Sequence, residues 1–271
     1  MTEDLRPALQ KRLRRFRKRL QTLQKNAGTV QVHAFRIACR ELLACYPLFN
    51  IIAPAHRWRN TVRKGLKTLN RLRDLQQMQG RLAEQPGIVS ALEEKIGKSE
   101  KKWRKYEPEL CTPGFYLALA QTEKSLNIQA NNSTSSLCLL AKSYQQWEMA
   151  LRRVKKQLWK VDVADLETLH RLRVRYKALR YLLELWIEAG IPLSVDKKNL
   201  KEWQEMLGEV ADLRIMAQTT QKLGLSPVMQ LEFLLKAQQQ TQLFLDRREE
   251  FVQFLTIINR QVIQHFNRET P

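Results

Sequence analysis

The stretch Leu169–Trp186, LHRLRVRYKALRYLLELW, decides the fold. Its apolar residues Leu169, Leu172, Tyr176, Leu179, Leu183 and Trp186 return at intervals of 3-4-3-4-3, which is one face of an α-helix turned toward a core. Beside that seam runs a second stripe, His170, Arg173, Lys177 and Arg180, whose spacing places all four on the adjoining face. The same arrangement stands 137 positions earlier, where His33 takes the place of His170. There Val32–Phe49, VHAFRIACRELLACYPLF, repeats the seam at Val32, Phe35, Cys39, Leu42, Tyr46 and Phe49 and the stripe at His33, Arg36 and Arg40.

The repeat continues on both sides of this segment. Leu13–Leu20, LRRFRKRL, returns as Leu151–Leu158, LRRVKKQL, at an offset of 138. Arg63–Met78, RKGLKTLNRLRDLQQM, aligns at the same offset with Lys201–Met216, KEWQEMLGEVADLRIM, so Asp74 pairs with Asp212 and Leu69 with Leu207. Three successive helices per half are therefore repeated. The expectation is an all-α fold of two pseudo-symmetric helical bundles related by an internal duplication. The uncharged stretch NIQANNSTSS, residues 127–136, reads as the loop between them, giving halves 1–131 and 132–271.

Composition agrees with helices and points to an anionic partner. Only nine Gly and nine Pro interrupt 271 residues. Lys and Arg number 47 against 27 Asp and Glu, a formal net charge of +20, and such an excess calls for a polyanion. The four cysteines, Cys39, Cys45, Cys111 and Cys138, are too few and too scattered for a disulfide framework or a zinc site, which fits a reducing cytoplasm. The first residues are charged from Glu3 onward with no apolar signal region. The best apolar run, Tyr181–Leu193, is broken by Glu184 and Glu188, so neither export nor membrane spanning is expected.

Taken in order, the pattern predicts a first helix over residues 3–24, then the His-bearing helix with Thr29 as its N-cap, ending before Pro54. A helix over 55–80 follows, a turn at Pro86 and Gly87, a helix over 88–107 and a shorter one to Ile128. In the second half, Asp165 caps the second His helix, and Pro192 and Ser194 close it. Helices over 196–223, from Pro227 onward and over 242–267 complete the chain. The seam aromatics Phe35, Tyr46, Phe49, Tyr176, Trp186 and Trp203 are assigned to the core.

The cations fall on a few faces. Candidate contacts in the first half are Arg14, Arg15 and Lys18 on the first helix, His33, Arg36 and Arg40 on the His helix, and Arg63, Lys67 and Arg73 on the helix after it. In the second half they are Arg152, Arg153, Lys156, His170, Arg173, Lys177, Arg180 and the hydroxyl of Tyr181. Guanidinium groups pair bidentately with phosphate oxygens, Lys acts as a point charge, and a protonated imidazole donates from both nitrogens. Each charge-assisted hydrogen bond contributes about 1.5–3 kcal/mol net. Association itself costs about 4–15 kcal/mol, so a long polyanion touching many cations is favoured over a single phosphate. Asp74 and Asp212 read as internal anchors for a neighbouring Arg or Lys.

At this level of detail the chain resembles the CHAD family, the conserved-histidine α-helical domain. His170, Arg173, Lys177, Arg180, Tyr181 and Glu184 stand where the family pattern places them. The first half carries His33, Arg36, Arg40 and the later Arg73-Asp74 pair, but has Glu41 and Leu43 where the family often has further basic residues. The resemblance covers essentially the whole chain. It implies a fold of two pseudo-symmetric helical bundles and binding of inorganic polyphosphate.

The expected function is therefore non-catalytic binding of inorganic polyphosphate or another phosphate-rich polyanion, with no cofactor and no metal, in the cytoplasm at polyphosphate granules. Metal binding through His33 and His170 is disfavoured, because no carboxylate or Cys stands at liganding spacing and their neighbours are cationic. The competing readings are a nucleic-acid binder and, less favoured, an enzyme of phosphate metabolism. The acids are dispersed, and no P-loop, HExxH or CxxC motif occurs.

Overall fold

The computed structural model describes residues 4–52, 56–82, 86–128, 133–224 and 226–269. Among them the protein is all-α, with eleven helices: α1 (Arg6–Lys25), α2 (Thr29–Ala44), α3 (Tyr46–Ile52), α4 (His56–Arg81), α5 (Pro86–Tyr106), α6 (Pro113–Ile128), α7 (Ser133–Leu158), α8 (Leu166–Glu188), α9 (Lys197–Lys222), α10 (Pro227–Asp246) and α11 (Arg248–Glu269). A 3-10 turn, Glu107–Cys111, joins α5 to α6. The described chain divides into two compact units, residues 4–142 and 143–269, and the division falls inside α7. The expected loop at 127–136 contributes its ends to helices: 127–128 finish α6 and 133–136 begin α7. The boundary expected between residues 131 and 132 lies outside the described residues.

In the first unit the apolar seams meet as their spacing predicts. Leu9, Leu13, Phe16 and Leu20 of α1 face Val32, Phe35, Cys39 and Leu42 of α2, all of them at most 1% exposed. The rings of Phe16 and Phe35 lie 5.3 Å apart, and Phe35 meets Trp103 of α5 at 6.2 Å. Trp58 of α4 is buried and donates its indole N–H to Thr122 Oγ1 of α6 at 3.1 Å, so its polar atom is satisfied inside the core. Burial pushes the Cys39 thiol up, leaving it a neutral core residue. Arg12 is buried too, 1% exposed, with its guanidinium donating to Cys45 Sγ at 3.0 Å.

Two details of this unit differ from the sequence expectation. Helix α2 starts at Thr29 itself, with Gly28 at the N-cap position and no side-chain cap bond, while Asn26 accepts from the Gly28 N–H at 2.9 Å. The His helix also does not run unbroken to Phe49. It stops at Cys45 and restarts as α3, because Pro47 carries no N–H to continue the helical ladder back to Leu43. Tyr46 consequently lies at the surface edge of the core, half-buried, with the Arg59 guanidinium 4.4 Å from its ring centroid.

The second unit is built around aromatic residues of α7, α8, α9 and α11. Trp147 and Trp186 lie 5.3 Å apart, Trp186 and Phe266 5.1 Å, and Trp203 and Phe251 5.0 Å. Tyr176 is buried and donates to the Leu200 carbonyl at 3.1 Å, which ties α8 to the start of α9. Asp165 caps α8 by accepting from Glu167 N, and Asp196 caps α9 by accepting from Lys198 N. Helix α8 ends at Glu188, before Pro192, and Gly190 just beyond its C-cap takes a φ of +86°, the left-handed conformation that closes a helix. Helix α10 continues to Asp246, so the last helix begins at Arg248 rather than near residue 242.

Candidate functional site

In the first unit α2 lies between α1 and α4, and its stripe faces the seam with α4. Arg36 is 7% exposed; its Nε and Nη2 both donate to Asn70 Oδ1, at 3.1 and 2.9 Å, and Nη2 stands 3.9 Å from Asp74 Oδ1. Arg40 reaches the same Asn70 oxygen at 3.5 Å. His33 is exposed on this face. Lys67 is one turn before Asn70 on the same side of α4, and Arg63 one turn before Lys67; both are exposed. Arg73 sits on the other side of Asn70 from Lys67 and is half-buried, so it does not join this row.

The α1 cations are already engaged. Arg15 donates to Glu41 of α2 at 2.8 Å, and Arg14 and Arg17 both bond the carboxylate of Glu123 on α6. These pairs are partly buried, Glu41 itself being only 9% exposed, so a phosphate arriving on α1 meets guanidinium groups that already hold carboxylates. Lys18 is exposed between them on the outer ridge.

The second unit repeats the central relation with one substitution. Arg173 Nη2 stands 3.9 Å from Asp212 Oδ1, as Arg36 does from Asp74. At the position aligned with Asn70 the second unit has Gly208, and even a Cβ there would only just touch Arg173 Nε, at 3.9 Å. Where Asn70 bonds the Arg36 guanidinium in the first unit, Gly208 brings no side chain to Arg173 in the second. His170, Arg173, Lys177 and Arg180 are all half-buried, neither sealed in the core nor freely solvated. Arg180 Nε lies 3.5 Å from Glu184 Oε1, with its guanidinium 5.3 Å from the Tyr181 ring centroid. Tyr181, expected to offer its hydroxyl to a phosphate, is 5% exposed and belongs to the core.

On α7, Arg152, Arg153 and Lys156 are exposed. Arg175 of α8 donates to the Arg153 carbonyl at 3.0 Å and Gln157 to the Thr168 carbonyl at 2.9 Å, which fixes α7 along one flank of α8. The α7 ridge and the α8 stripe thus border one outer surface of this unit, with Arg171, Val174 and Ala178 between them. The acids of α9 are internally matched: Glu202 accepts from Arg247 at 2.8 Å, and Glu205 lies 3.3 Å from Lys201.

The sequence reading missed three features. Asn70 is the hub of the first stripe, and Gly208 is its counterpart by offset; the offset alone, applied residue by residue, finds both. The third is a basic cavity between α4 and α5 to which Lys64, Arg71 and Lys102 contribute. Its α4 members follow the 3-4 spacing, whereas Lys102 can be placed with them only once the helices are packed.

The profile of the CHAD domain matches residues 7–221. The chain belongs to the CHAD-domain family. Two solved structures resemble this CHAD protein over nearly its whole length. The CHAD domain from the plant Ricinus communis superposes with a TM-score of 0.62 at 18% identity, covering 96% of this chain and 93% of that one. PptA from Streptomyces chartreusis gives a TM-score of 0.57 at 12% identity, covering 95% and 97%. At these identities the likeness is one of fold. Among curated proteins no sequence matches significantly. In this CHAD protein no helix among the described residues is long and apolar enough to cross a membrane.

Proposed function

We propose that this CHAD protein binds inorganic polyphosphate without catalysis, through the basic faces of its two units, and is thereby recruited to polyphosphate granules. The observation that carries the reading is the α8 stripe. His170 to Arg180 spans eleven residues, ten rises of 1.5 Å or about 15 Å, with a half-buried basic side chain at every turn. A row of that length suits a run of phosphates better than an isolated anion. Gly208 adds no side chain at the middle of the row, and Asp212 stands 3.9 Å from Arg173, which keeps 17% of its side chain exposed. The α1, α2 and α7 ridges add further cations. The acids beside the stripes, Asp74, Asp212 and Glu184, each lie against an Arg, an arrangement suited to positioning rather than to holding a catalytic metal.

Nucleic acid is the second reading, and one observation favours it. Trp159, at the end of the α7 ridge, is 61% exposed, with Arg248 5.0 Å from its ring centroid, and an exposed indole beside cations is a base-stacking platform. The two readings separate by competition. Labelled long-chain polyphosphate bound to the protein is challenged with single-stranded and duplex nucleic acid at equal phosphate concentration. Polyphosphate binding persists on the first reading; displacement by nucleic acid removes it. Affinity should also fall steeply with salt, with a slope near 0.7 per neutralised phosphate by analogy with single strands, and a flat response would count against any phosphate chain.

A further inference from the structure

The first unit contains a cavity of about 490 Å³ between α4 and α5, within the size range of small-ligand pockets. Lys64, Lys67 and Arg71 line it from α4 and Lys102 from α5, with Tyr106 also in the wall and Glu109 as its one acid. None of these four cations forms an ion pair among the described residues, in contrast to Arg14, Arg15 and Arg17 on α1. Four unmatched positive charges around one concavity repel one another and raise the local potential, which an anion would relieve.

The cavity is also held in shape. A Cβ at Gly65 would meet Tyr106 Cε1 and Leu110 Cδ1 at 3.1 Å, so the glycine lets α5 and the 3-10 turn approach α4 closely. Tyr106 then donates its hydroxyl to the Thr61 carbonyl at 2.6 Å. The second unit has Glu202, Glu205 and Glu209 at the positions aligned with Lys64, Lys67 and Arg71, so this basic cluster has no counterpart there.

We infer that this cavity is a second anion site, specific to the first unit, that takes a compact oligophosphate. Three of its four cations are lysines, whose ammonium groups serve scattered oxygens without the planar match that a lone carboxylate or phosphate makes with Arg. A short run of phosphates presents several charged oxygens in a small volume and matches the excess of cations over Glu109. The inference rests on the polyphosphate reading but extends it to a neighbouring concavity that shares Lys67 with the α2–α4 row, and through Lys64, Arg71 and Lys102 it can fail independently of the α8 stripe.

The test is calorimetric titration of the full chain with inorganic tripolyphosphate, and in parallel with long-chain polyphosphate. The combined substitution Lys64→Ala, Arg71→Ala and Lys102→Ala should weaken tripolyphosphate binding at least tenfold, while Arg173→Ala with Arg180→Ala should change it less than twofold. The three cavity positions are exposed, and the charge-keeping pair Lys64→Arg and Lys102→Arg, which should retain binding, controls for folding. Undiminished tripolyphosphate binding by the triple variant overturns the site. So does a wild-type chain that binds long polyphosphate but not tripolyphosphate, an outcome that leaves the stripe reading intact. Conversely, cavity-dependent tripolyphosphate binding without any long-chain binding supports the cavity and removes the stripe reading.

Discussion

Arg173 of α8 holds its Nη2 3.9 Å from Oδ1 of Asp212 on α9, a separation that Arg36 and Asp74 reproduce between α2 and α4. At that distance the groups attract without a direct hydrogen bond, and both side chains of the second pair remain partly open to water. The acid therefore orients the guanidinium, whose side chain stays 17% exposed. Coupling measured by a double-mutant cycle on thermal unfolding, with Arg173→Ala and Asp212→Ala, should come to about 0.2–1 kcal/mol. It should shrink at high salt.

Removing the stripe should affect binding far more than folding. Arg173→Ala with Arg180→Ala is expected to lower long-chain polyphosphate affinity at least tenfold, with the melting temperature close to that of the parent. An unchanged affinity would take the α8 stripe out of the site.

Gly208 offers the reverse test, a gain of contact that should cost function. Gly208→Asn places on α9 the amide that holds Arg36 in the first unit, and the space above Gly208 accepts it. The new side chain should draw Arg173 down onto α9 and lower polyphosphate affinity. Gly208→Ala should raise stability by up to about 1 kcal/mol through helix propensity with affinity retained. Equal affinities for the Asn and Ala variants would show that Arg173 does not contact ligand from its present position.

Gly65 should respond oppositely to the same kind of change. A methyl group there would press on Tyr106 and Leu110 at 3.1 Å. Overpacking costs about 1–3 kcal/mol and outweighs the helix-propensity gain of about 1 kcal/mol. Denaturant unfolding of Gly65→Ala should show a net loss, whereas Gly80→Ala, with nothing within 4 Å of its Cβ, should show a gain.

The Tyr106 hydroxyl sets an alkaline limit on the first unit. Burial and the nearby Glu109 carboxylate push its pKa up to about 12 from the ordinary value of 10. A group whose folded pKa is raised contributes stability that is complete below pH 10 and is lost as pH rises toward 12. Tyr106→Phe should therefore be less stable than the parent at pH 8, through loss of the bond to Thr61, and the gap should narrow by pH 11. Melting curves of both proteins at the two pH values check it.

The sequence made some of this legible and not the rest, for identifiable physical reasons. Leu169, Leu172 and Trp186 are fully buried, and Asp165 caps α8, because periodicity and capping are local properties of the chain. The break at Cys45 went unread, since Tyr46 and Phe49 keep the seam spacing through it and only Pro47 betrays it. The break between α10 and α11 at Arg247 has no Gly or Pro at all, only a backbone turned to φ −98° and ψ 12°. Tyr181 was misplaced because a helix face next to cations is not always an exposed face. The cavity between α4 and α5 depends on Lys102 lying against a helix more than thirty residues earlier in the chain, which pattern alone does not encode.

Arg15 with Glu41, and Arg14 and Arg17 with Glu123, change the thermodynamics of any ligand on α1. These guanidinium groups carry resident counter-anions that are part of the protein, so a phosphate arriving there displaces a tethered carboxylate instead of dissolved ions. Less mobile charge is set free than the number of contacts implies. The α1 ridge then behaves as an ion exchanger whose affinity is comparatively indifferent to the surrounding salt, whereas Arg152, Arg153 and Lys156 of α7, which hold no such carboxylates among the described residues, carry the salt sensitivity.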